Sequence, residues 1–157
     1  MIDSTSWMTI YPEIVLLVMA CVIALVDLLV TSPKRTVTYV LTLASLGGVA
    51  LLHAFYADAG HTLYGFDRLV VSDPMGHWLK CFSTIAVMVT LVYARPYAGD
   101  RDMLRGGELF SLSVFALLGM SVMISSQNFL VLYLGLELLT LSSYALVALR
   151  RDNMQAT

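Results

Sequence analysis

Charge is the scarce ingredient of this chain. Asp, Glu, Lys and Arg make up 13% of its 157 residues, against 59% hydrophobic. A soluble domain carries about 25% charged and roughly 45–50% apolar residues. With a mean hydropathy of +0.81, the chain has too few polar side chains to cover a globular surface in water. The net charge of −2, with no basic run and no aromatic platform, excludes a nucleic-acid binder. Cysteine is nearly missing too. Cys21 and Cys81 stand alone in separate apolar runs, which excludes a disulfide framework or thiolate metal site and leaves both as packing residues. There is no glycine-rich phosphate loop and no histidine pair spaced for haem, so covalent or redox chemistry is not expected of these residues. The first basic residue is Lys34. The start therefore lacks the basic region of a signal peptide, and its apolar run is expected to be a retained span.

What the chain does have is long apolar runs without strand alternation. They predict an all-α integral membrane protein, because only helices and closed barrels satisfy backbone groups in lipid. Five spans are expected, at 12–31, 37–57, 74–94, 108–125 and 129–149, forming one helical bundle. Pro12 and Glu13 suit the first turn of the first span, and Asp73-Pro74 opens the third with Asp73 as N-cap. Ala20 with Ala24, and Ala44 with Gly48, have the spacing that lets helices approach closely. The longest polar connection, 58–73, holds Leu63–Ser72, whose composition predicts a short β-hairpin around Asp67-Arg68. The loops at 31–36 and 95–107 and the C-terminal tail hold seven Lys/Arg, whereas the opposite side holds Arg68 alone. Positive-inside counting puts the N-terminus outside and the C-terminus in the cytoplasm.

Phe129–Leu149 is the most informative stretch. It carries one charge, Glu137, near its middle. A carboxylate at that depth costs on the order of 2.5–3.5 kcal/mol on insertion scales. Tyr133, Thr140 and Tyr144 fall within about 60° of Glu137 at 100° per residue, so the helix shows a polar stripe around a carboxylate. The stripe reads as a proton-handling site, because burial and a nearby lysine shift a carboxylate's affinity for protons in opposite senses. Asp27 and Lys80 are secondary candidates for the site, and for them and the other charges simpler readings are favoured. Asp27 is expected to pair with Lys34 or Arg35, and Lys80 to snorkel outward toward Asp73 or Asp67. Glu13 and Glu108 read as helix-end charges. His53, His61 and His77 read as interface anchors.

Tyr133–Arg151, YLGLELLTLSSYALVALRR, resembles the antiporter-like membrane subunits of respiratory NADH–quinone oxidoreductase (complex I), the subunit N type above all. YPEIVLLVMACVIALVDLLV (Tyr11–Val30) and FDRLVVSDPMGHWLK (Phe66–Lys80) resemble it too. The resemblance implies proton translocation coupled to quinone reduction in the bacterial inner membrane, with Glu137 inheriting the role of a glutamate that pairs with a lysine on a later, broken helix. It implies other membrane-arm subunits, lipid and protons as partners. NADH, FMN, iron–sulfur clusters and quinone belong to the complex, with no cofactor in this chain. Such proteins are about three times this length and built from two inverted repeats. The sequence is thus expected to be a fragment or a truncated product that does not pump alone. Two other readings stand beside it: a subunit of a multi-subunit cation/proton antiporter, and a non-transporting scaffold in which Glu137 locks helix packing.

Overall fold

A computed structural model describes residues 4–30, 35–100 and 107–149. A short helix, α1 (Ser4–Thr9), leads into α2 (Tyr11–Leu29), which has Pro12 in its first turn, where a missing N–H costs nothing. Then come α3 (Thr36–Ala59), the strands β1 (Leu63–Gly65) and β2 (Val70–Ser72), and α4 (Pro74–Asp100). α5 (Glu108–Ser125) and α6 (Phe129–Val147) complete the described residues. The five helices α2 to α6 are each long and apolar enough to cross a membrane.

The expected Asp73 cap and hairpin are present, and a cap by Asn128 is added. The close approach expected at Gly48 is not seen, since a Cβ there would meet no described residue within 4 Å. Asp73 Oδ2 accepts from the Gly76 N–H at 3.2 Å and so caps α4, while Asn128 Oδ1 accepts from the Leu130 N–H at 2.9 Å and caps α6. The hairpin pairs antiparallel, Leu63 with Ser72 and Gly65 with Val70. One helix runs past its expected end. α4 continues through Pro96 to Asp100, although proline removes one intrahelical bond there.

α5 is the centre of the bundle. Leu109, Phe110, Val114, Leu117 and Leu118 are buried against Leu16, Ala20 and Ile23 of α2, Leu46 and Val49 of α3, and Leu91 and Ala98 of α4. α6 packs on the outside of α5 through two glycines. A Cβ on Gly119 would lie 2.7 Å from the Leu139 nitrogen, and one on Gly135 would lie 2.9 Å from the Gly119 oxygen. Only hydrogen fits at that crossing, which is the small-residue contact that lets helices associate in lipid.

The two ends of the bundle differ. At one end, α1, the hairpin and the α5–α6 turn meet: the Phe66 N–H donates to Ser6 Oγ at 3.3 Å, and the Gln127 N–H to the Leu69 carbonyl at 2.9 Å. At the other end Asp27 ties three helices together. Its Oδ1 accepts from Arg35 at 3.2 Å and from Thr38 Oγ1 at 2.9 Å, and its Oδ2 accepts from the Gly107 N–H at 2.7 Å. The ion pair expected with Arg35 is therefore present. The alternative partner, Lys34, lies outside the described residues. A Cβ on Gly107 would fall 2.0 Å from Asp27 Oδ1, so the close carboxylate requires glycine.

Candidate functional site

Two sets of polar groups lie within the span region, and they differ in almost every respect. The first is the stripe on α6. Glu137, Tyr133 and Tyr144 are exposed and Thr140 is half-buried. Thr140 Oγ1 donates to the Leu136 carbonyl at 2.7 Å, a bond within its own helix. α6 buries only Gly135 and Ser142. The stripe thus lies on a face that the described residues leave open, together with Leu134, Leu136 and Leu141. No described residue forms an ion pair with Glu137. A carboxylate in mid-span on an open apolar helix face needs a partner, since leaving it in hydrocarbon is costly.

The second set holds one secondary candidate, Lys80, in a cluster that the sequence did not predict. Lys80, three residues after His77 on the buried face of α4, is 1% exposed. Its Nζ donates to Glu13 Oε1 and to Ser125 Oγ. Ser125 Oγ in turn donates to Glu13 Oε1 at 3.0 Å. Helices α2, α4 and α5 each contribute one member. The expectation that Lys80 snorkels toward Asp73 or Asp67 is therefore wrong. An ammonium on the inner face of α4 finds a carboxylate and a serine hydroxyl close by, and these acceptors take the place of water. Glu13 does sit in the first turn of α2, but it is buried and paired rather than left at the interface.

The histidines need the same correction. His61 is exposed, but His53 and His77 are each 1% exposed. Their Nδ1 atoms are 3.1 Å apart, and His77 Nε2 lies 2.7 Å from Ser72 Oγ. Tyr56 stacks on His77 with centroids 5.2 Å apart. Interface anchoring fails as a reading because α3 and α4 turn these rings toward each other, under the hairpin. One signal in the sequence pointed here. Two of the spans that start at this end, α2 and α4, place a charge in their first two turns, Glu13 and Lys80, and the charges have opposite sign.

Among the described residues, no group of three His, Cys, Asp or Glu side chains could hold a metal ion. What the two sets can do chemically is accept and release protons.

Comparison with known proteins sharpens this. No family model matches the chain. A NADH-quinone oxidoreductase subunit N from Polaromonas naphthalenivorans is 71% identical over 157 residues, all of this chain and 31% of that protein. The whole chain matches the N-terminal portion of subunit N. Subunit N from Herminiimonas arsenicoxydans is 48% identical over 98% of the chain, and that from Methylovorus glucosotrophus 45% identical over 93%. The chain spans about a third of the length of these relatives, 30–32% in each case. Bacterial subunit N relatives and five apolar helices together fit a multi-pass protein of the inner membrane.

Proposed function

We propose that the chain is the N-terminal part of a proton-translocating membrane-arm subunit of NADH–quinone oxidoreductase. The observation that carries this is Glu137, a carboxylate in mid-span with an open face around it, in a chain similar throughout to subunit N. Glu137 is the proton-carrying group of this segment, with Tyr133, Thr140 and Tyr144 as polar neighbours along the same stripe. The cation that pairs with it comes from the part of the protein that packs on the open face of α6. NADH, flavin, iron–sulfur clusters and quinone belong to other subunits, since this chain has no cysteine cluster or phosphate loop to hold them. The remaining membrane-arm subunits and lipid cover the outer faces. The end bearing Arg35 and Arg95 faces the cytoplasm and the hairpin end faces the periplasm, as positive-inside counting requires.

The test is Glu137→Gln in the full-length protein within its assembled complex, reconstituted in vesicles. NADH-driven quinone reduction and lumen acidification are followed together. Loss of acidification with assembly intact is the expected outcome. Normal turnover and pumping would show that the carboxylate is structural. Sodium extrusion that depends on Glu137, with NADH oxidation unaffected, would favour a cation/proton antiporter instead.

A further inference from the structure

We propose that Glu13, Lys80 and Ser125, with His53, His77 and Ser72 beside them, form a second proton-handling site at the hairpin end of the bundle. The physiological role of this site rests on the proton-translocation reading above; its geometry does not.

Three observations support it. First, all six side chains are less than one-tenth exposed, and they come from five different elements: α2, α3, β2, α4 and α5. Four of them are titratable, Glu13 on α2, His53 on α3, and His77 and Lys80 on α4, so their convergence is not a by-product of one helix's pattern. A buried ion pair is also a weak source of stability, since the desolvation of both charges offsets their attraction. Second, the cluster is not saturated. Glu13 Oε2 is buried and has no hydrogen-bond partner among the described residues. Glu13 and Ser125 also line a cavity between α2, α5, α6 and the hairpin, whose other walls include Ile14, Leu17, Phe66 and Val122. A buried carboxylate oxygen without a donor is a natural acceptor for an arriving proton.

Third, the hydrogen bonds can reverse. Only one imidazole can donate across the His53–His77 contact, because the two Nδ1 atoms face each other. In one arrangement Ser72 donates to His77 Nε2, and the His77 Nδ1–H donates to His53 Nδ1. Ser72 can then take a proton from the hairpin side as it gives its own to His77 Nε2. The His77 Nδ1 proton moves to His53 Nδ1, and the His53 Nε2 proton passes to a water molecule at that nitrogen. One proton has crossed and every group is neutral again, and the same steps in reverse carry it outward. In the neighbouring cluster, the proton between Lys80 Nζ and Glu13 Oε1 has two resting places. It belongs to an ammonium beside a carboxylate, or to a carboxylic acid beside a neutral amine, with no change in net charge. His77 and Lys80 lie about one turn apart on α4, and both histidines are within electrostatic reach of Lys80 and Glu13. Asp73 at the start of α4 and Tyr56 on α3 are the other ionisable groups facing this region.

A cluster that only locks the helices together must be separated from one that moves protons. Lys80→Arg does this, because arginine keeps the charge and the pairing but does not deprotonate in proteins. His77→Gln is the second variant: an amide can hold hydrogen bonds but cannot relay a proton. Each would be placed in the full-length protein, and the assembled complex reconstituted in vesicles. We expect both variants to assemble, with acidification per NADH oxidised largely lost. Wild-type pumping in the assembled variants would overturn the proposal. If Lys80→Arg does not assemble, His77→Gln decides alone, and failure of both to assemble would make the cluster a packing device. Comparison with Glu137→Gln keeps the two readings apart. Loss of pumping in Glu137→Gln alone removes the second site and leaves the family reading standing. Loss in Lys80→Arg or His77→Gln alone removes the role given to Glu137.

Discussion

Glu13 and Glu137 are both carboxylates on membrane-length helices, yet the bundle treats them in opposite ways. Glu13 is enclosed, with a lysine and a serine bound to one oxygen. Glu137 stands on an open face, with no ion pair to any described residue. The difference follows from the helices that carry them. α2 packs against both α3 and α5, whereas α6 packs mainly on α5, along a close seam at Gly119 and Gly135, and buries only Gly135 and Ser142. A charge on a packed helix has its partner built in. A charge on an outer helix is left on a face that the described residues do not cover.

The strongest way to break this comparison is to remove one charge at each site. Lys80→Leu leaves Glu13 buried without its cation, which typically costs about 3–5 kcal/mol. Glu137→Leu removes a charge that no described residue pairs with, so it should leave the stability of this five-helix segment unchanged or raise it. Thermal unfolding of the detergent-solubilised segment would compare the two. Equal effects would mean that Glu13 and Glu137 do not differ in the way their surroundings imply.

The same contrast explains what could be read from the sequence. Span positions, the hairpin at Leu63–Ser72, the Asp73 cap and the Asp27–Arg35 pair all rest on local patterns or on residues close along the chain. Glu137 was visible because a single charge in an apolar run needs no partner to be noticed. The Lys80 cluster was not visible, because its meaning depends on a carboxylate 67 residues away. Taken alone, Lys80 lies near enough to a helix end to suggest snorkelling, and His53 and His77 resemble the interfacial side chains common there. Their meeting depends on how α2, α3 and α4 rotate about their axes, and weakly amphipathic membrane helices barely encode that rotation. α4 likewise runs past the expected 94, through Pro96 to Asp100, where its packing and not its apolar run sets the end.

The seam itself makes the next prediction. Gly119→Ala would put a methyl group 2.7 Å from the Leu139 nitrogen and 2.8 Å from the Gly135 carbonyl oxygen. Backbone atoms cannot rotate away, so α6 must shift outward. Overpacking of this kind costs typically 1–3 kcal/mol. Disulfide cross-linking between cysteines placed on α5 and α6 should become slower in Gly119→Ala. An unchanged rate would show that the glycine pair does not set the distance at which the Glu137 helix is held.

The smallest effect belongs to the hairpin that closes the Glu13 end. Phe66, Asp67 and Arg68 follow one another with positive φ, at 53°, 52° and 65°. For L-residues the left-handed region costs roughly 1–2 kcal/mol each. Contacts at both edges hold the turn: the Phe66 ring meets Trp7 edge-on, its N–H reaches Ser6, and the Leu69 carbonyl accepts from Gln127. Asp67 has neither ring contact nor hydrogen bond of this kind, so glycine there would relieve the backbone and remove little else. Asp67→Gly should therefore raise the unfolding midpoint of the segment slightly, or leave it unchanged once the added freedom of the unfolded chain is counted. A clear loss of stability would mean that the Asp67 side chain itself holds the hairpin over the buried cluster. The cover over Glu13 and the histidines would then depend on a third carboxylate, and the contrast between an enclosed and an open site would extend to the hairpin tip.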